Sequence, residues 1–110
     1  MPRLFIYCDS KFVSIYTLLN SETSIGRDKA NDVPLPGDPA ISSCHALITK
    51  RGQMFTIEDR SGNGLSINSS IKETPRPLKN GDNIQIGSYC FEFSEAEKGH
   101  TIHNAINNCA

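Results

Sequence analysis

Hydrophobic and polar positions alternate along most of this chain with a period of two rather than 3.6. Leu4 to Cys8 and Val13 to Leu19 are rich in β-branched and aromatic residues, and the short polar turn "DSK" parts them. "HALIT" (45–49) and "FTIED" (55–59) flank "KRGQM", where Gly52 can supply a hairpin reversal. "LSIN" (65–68), "NIQIG" (83–87) and "YCFEF" (89–93) continue the pattern. Asn80-Gly81, just before "NIQIG", is the strongest short hairpin signal in the chain. Seven or more short strands joined by Gly, Asn and Pro turns predict an all-β, antiparallel β-sandwich.

Two longer segments interrupt the strands and are expected to be loops. Residues 28–43 carry three prolines and residues 69–82 carry two, and loops of that length often serve function. From Ser94 the alternation stops. Ser94 and Glu97 fit a capping box that predicts a short helix, weakened by Gly99. The expected division is a folded domain over residues 1–94 and a C-terminal tail, or the start of a connection, over 95–110.

Composition narrows the function classes. A length of 110 residues suits one domain, and 37% hydrophobic with 21% charged residues suits a globule. Eleven basic against 12 acidic residues speaks against a broad nucleic-acid or anionic-membrane surface. No apolar run reaches the roughly 18 residues of a membrane span, and Leu4 to Cys8 is too short for a signal-peptide core. The expected setting is intracellular. Cys8, Cys44, Cys90 and Cys109 form no CxxC pair, so free buried thiols are the default expectation.

Four signals follow in order: "IGRD" (25–28), "ISSCH" (41–45), "EDRSGNG" (58–64) and "PLKNGDNIQIG" (77–87). Together, over roughly Arg3 to Phe93, they resemble the forkhead-associated (FHA) domain, a family of eleven-stranded sandwiches that bind phosphothreonine peptides through inter-strand loops. "SGNG" is similar to the loop of the checkpoint-kinase type of FHA domain. The implied function is a phosphothreonine-dependent binding module, not an enzyme and without a cofactor. It would recruit a phosphorylated protein in nuclear DNA-damage or cell-cycle signalling, and as an isolated domain it is expected to be monomeric.

The chemistry of the residues suits that role. A phosphothreonine carries about −1.5 to −2 charges and three acceptor oxygens, so its reader needs a fixed cation and short donors. Arg27 supplies a planar guanidinium at a strand end. By the resemblance, Ser42 donates its hydroxyl to the phosphate and His45 shapes the serine loop. Ser43 stands where relatives often carry a basic or amide side chain. Gly62 stands where the loop usually has threonine, which removes a hydroxyl and a methyl group. Ser43 and Gly62 are expected to contribute backbone amides. The Asn63 amide can donate to a peptide carbonyl and accept from a peptide N–H. Gly26 and Gly64 are expected to keep the loops in shape. Lys29 and Arg60 are the nearby charges. Pro39, Ala40, Ser88 and Tyr89 are the candidates for reading the residue three positions after the phosphothreonine.

Two other classes stand beside this one. The weakened Ser43 and Gly62 positions leave open a scaffold that binds partners without phosphate. His100, His103 and Cys109 are a thin metal signal with no fourth ligand at close spacing, so no metal site is expected. No nucleophile elbow surrounds His45. Glu58 and Asp59 are neighbours in a strand and point to opposite faces, so they form no acid–base pair.

Overall fold

The computed structural model describes residues 1–95, which form eleven strands and, among these residues, no helix. A six-stranded sheet has the order β2-β1-β11-β10-β7-β8: β1 Arg3–Cys8, β2 Lys11–Thr17, β7 Leu65–Ile67, β8 Ser70–Lys72, β10 Asn83–Ile86 and β11 Tyr89–Ser94. A five-stranded sheet has the order β4-β3-β5-β6-β9: β3 Glu22–Gly26, β4 Val33–Pro34, β5 Ala46–Arg51, β6 Met54–Asp59 and β9 Arg76–Pro77. The sandwich is antiparallel apart from the short parallel pair β3–β4.

Alternation built the core. Leu4, Ile6, Phe91, Phe93, Ile84 and Leu65 of one sheet meet Ile25, Ile48, Phe55 and Ile57 of the other, all buried in one cluster. Phe55 and Phe93 touch across the two sheets with ring centroids 5.5 Å apart.

The turns account for the departures from the periodic reading. Asp9 and Ser10 both have positive φ, as do Asn68 and Ser69, so each pair closes a two-residue hairpin without glycine. The second of these hairpins places β8 inside the segment expected to be a loop. β9 lies there too, and its Pro77 is tolerated because β9 is an edge strand. Asn80-Gly81 does not form the expected hairpin. Asp82 N donates to Lys79 O, closing a turn that carries the chain from one sheet to the other. Gly81 N then bonds Phe93 O, which fixes the crossing.

Free buried thiols describe none of the three cysteines among these residues. Cys8 is free and half-buried, Cys44 is free and exposed, and buried Cys90 is disulfide-bonded. Ser94, the expected cap of a tail helix, is the last residue of β11. Glu97, Gly99, His100, His103 and Cys109 lie outside the described residues.

Candidate functional site

β3, β5 and β6 bring three loops to one end of the sandwich, because Ile25, Ala46 and Asp59 are register partners in neighbouring strands. The Gly87-Ser88 turn joins them there, and Asp9 N bonds Ser88 O. This end collects Arg27, Ser42, Ser43, Gly62 and Asn63.

Gly26 ends β3 where two backbones nearly touch. A Cβ built there would run into the Ser43 carbonyl and lie 2.8 Å from Cys44 Cα. Arg27 N donates to Ser42 O (3.0 Å) and Asp28 N to Ser43 O (3.2 Å), so the serine loop lies along the strand end. Asn31 adds a clasp: its Nδ2 donates to Asp28 O (2.7 Å) and Ser43 O (2.6 Å). The Arg27 guanidinium and the Ser42 and Ser43 hydroxyls take part in no hydrogen bond or ion pair among the described residues. Ser43 and Arg27 are exposed.

His45 is buried, and its Nδ1 accepts from Ser42 N at 3.1 Å. That acceptor role requires the tautomer protonated on Nε2. Burial pushes the imidazole pKa below its ordinary value, against a smaller opposing pull from Asp59. The ring therefore stays neutral and braces the serine loop. Its carbonyl accepts from Arg60 N at 2.8 Å, tying in the next loop.

That next loop is organised by Asp59. One carboxylate oxygen accepts from Ser61 N (3.0 Å) and Ser61 Oγ (2.6 Å), and the other from Gly62 N (3.2 Å) and Gly64 N (3.0 Å). Burial raises this carboxyl, but the four bonds outweigh it and hold the group below the usual carboxylate range. Gly62 and Gly64 have φ of 83° and 84°, a region that favours glycine. The Gly62 amide already faces Asp59, so Gly62 brings an open surface rather than the expected free donor. Asn63 is exposed, and its side chain takes part in no hydrogen bond among the described residues.

A fourth piece was not expected from the sequence. Asp38 accepts from Ala40 N (2.9 Å) and from Ser88 N (3.0 Å), locking the 35–45 loop to the β10–β11 turn. These amides hold its carboxyl below its ordinary pKa. Arg60 is paired with Glu58 at 3.2 Å, whereas Lys29 is exposed. The positioning residues Asn31, Asp38 and Asp59 escaped the sequence reading. For Asp59 a signal existed, an acid two residues before a Ser-Gly turn.

No group of three or more metal-ligating side chains occurs among the described residues. Nor is any helix there long and apolar enough to cross a membrane.

Comparison with known proteins accords with this architecture. The E3 ubiquitin-protein ligase CHFR of Xenopus tropicalis is 40% identical over 73 residues, which is 63% of this chain but only 12% of that protein. A structure of Mycobacterium tuberculosis EmbR in complex with a low-affinity phosphopeptide superimposes with a TM-score of 0.76 at 28% identity, covering 90% of this chain and 26% of that one. The FHA domain of the CT664 protein from Chlamydia trachomatis gives the same TM-score at 22% identity, covering 86% of this chain and 97% of that one. The FHA domain family model matches residues 23–87, and the chain belongs to this family of phosphopeptide-binding β-sandwiches.

Proposed function

We propose that the loop end binds a phosphothreonine peptide and so recruits a phosphorylated protein. One observation carries the reading. The side-chain polar groups of Arg27, Ser42 and Ser43 are unengaged among the described residues, while the backbone beneath them is fixed by Gly26, Asn31 and His45. A preorganised cation beside short hydroxyl donors fits a dianionic phosphate. Arg27 takes the phosphate by charge-assisted bonds and Ser42 adds its hydroxyl. Ser43 contributes its hydroxyl or amide, and Asn63 grips the peptide backbone. Gly62 keeps the loop low beside the peptide. His45, Gly26 and Gly64 hold the frame.

The module acts by binding, as a monomer, without cofactor, nucleic acid or membrane. The similarity of "SGNG" to checkpoint-kinase FHA loops supports a nuclear setting in DNA-damage or cell-cycle signalling. The ligase activity named for CHFR belongs to a protein of which this segment matches a small part, and none is assigned here.

A second reading is a scaffold that binds without phosphate. It is favoured by two details: Ser43 adds no charge, and the Gly62 amide is engaged by Asp59. Titration against a degenerate phosphothreonine peptide library separates the two, with phosphoserine and unphosphorylated pools as controls. Loss of one charged hydrogen bond costs about 1.5–3 kcal/mol, so Arg27→Ala is expected to weaken binding ten-fold or more. Equal binding of phosphorylated and plain pools would favour the scaffold.

A further inference from the structure

We propose that the groove on the open side of the sandwich, between β2 and β4, receives an extended apolar segment flanking the phosphothreonine of the bound partner. This rests on the phosphothreonine reading and extends it from one residue to a stretch of the partner.

The groove encloses about 380 Å³ and is walled by Val13, Tyr16, Val33, Leu35, Pro36 and Tyr89. Its single charged wall residue is Asp32, at the exposed rim, one carboxylate oxygen of which accepts from the Ser24 amide and hydroxyl. The rest of the wall is uncharged and largely apolar, which suits an apolar occupant. On its β2 side, Val13 is 52% exposed, a half-open hydrophobe on an edge strand.

Continuity with the loop end identifies the occupant. Leu35 N bonds Gly26 O, so one wall starts beside Arg27. Tyr89 Oη donates to Pro36 O at 3.2 Å, closing the groove's upper end against the 35–45 loop. β2 itself leaves the Asp9-Ser10 turn, which Ser88 O holds to the same end. A chain anchored at Arg27 thus needs only a few residues to enter the groove.

The edge also selects against untethered strands. The β1–β2 register shifts between Ile6 and Tyr7, leaving Val13 as the extra residue of a bulge. A bulge re-aims its side chain, here toward the groove, and blunts generic edge pairing. A segment already held by its phosphate enters at a high effective concentration and overcomes that weakness.

The test uses the 110-residue chain and three synthetic peptides. One is a seven-residue phosphothreonine core selected from the library. The other two add six alternating Val-Thr residues on its amino or its carboxyl side. One extended peptide is expected to bind at least ten-fold tighter than the core. Val13→Asp is expected to erase that gain and leave core binding unchanged, with Ile15→Asp as the second variant should the first fail to fold. Equal affinity of core and both extended peptides overturns the groove assignment while the phosphothreonine reading stands. Failure of the core to bind removes both. Sedimentation showing a dimer that Val13→Asp dissolves would assign the groove to a second copy and also overturn the proposal.

Discussion

The two loops that frame the candidate site are built on opposite plans. The Asp59–Gly64 loop is held from within: one carboxylate accepts four donors that lie two to five residues away. The serine loop is held from outside, by β3, by Asn31, by His45 at its end and by Asp38 reaching to Ser88. A loop of the first kind depends on one side chain. A loop of the second kind tolerates the loss of a clasp but not a change in the spacing of the backbones it lies between.

The largest expected effect follows from that spacing. Gly26→Val would drive a branched side chain into the Ser43 carbonyl and Cys44 Cα, which are backbone and cannot swing aside. Overpacking of this kind costs about 3 kcal/mol, to be read as a lower urea midpoint with loss of phosphopeptide binding. A loss under about 1 kcal/mol would mean that the serine loop moves freely and is not held by its neighbours.

Next comes the internal hub. Asp59→Ala leaves the Ser61, Gly62 and Gly64 donors without their acceptor. A drop in unfolding free energy of about 2 kcal/mol is expected, with peptide affinity falling alongside. Amide exchange should quicken at Gly62 and Gly64 and stay slow at Arg27, whose amide bonds Ser42 O. Faster exchange in both places would erase the distinction between the two plans.

The smallest effect is a pH dependence confined to the serine loop. Folding lowers the His45 pKa, so the unfolded chain takes up a proton first. The stabilisation from neutral His45 is complete above about pH 6.5. It declines as pH falls toward the folded value, because the unfolded state then binds more protons. Protonation of Nδ1 also removes the acceptor for Ser42 N. Melting temperature is expected to fall between pH 7.5 and 5.5 in the parent chain and to stay flatter in His45→Asn. An unchanged slope in the variant would remove His45 as the brace.

This contrast also explains what the sequence made legible. The strands and the core followed from alternation, since period two states which residues face inward. Arg27, Ser42 and Asn63 were named from local wording and family resemblance, and the fold gathers them at one end. Local wording could also have revealed Asp59, because its bonds span only a few residues. Asp38 could not be found this way: its partner Ser88 is 50 positions away, and no periodicity reports a contact of that range. Asn80-Gly81 misled for a related reason. The pair encodes a tight reversal, but which strand receives the chain afterward depends on the packing of the whole sandwich. The positive-φ pairs Asp9-Ser10 and Asn68-Ser69 formed hairpins without the glycine that usually announces one.

Arg3 and Ser94 are register partners, so β1 begins and β11 ends side by side. Both lie at the opposite end of their strands from the Asp9-Ser10 and Gly87-Ser88 turns that border the site. The described chain therefore enters β1 and leaves β11 on the far side of the sandwich from the candidate site. The sandwich is thus like a lamp whose two wires, β1 and β11, meet at its base, with the candidate site at the other end.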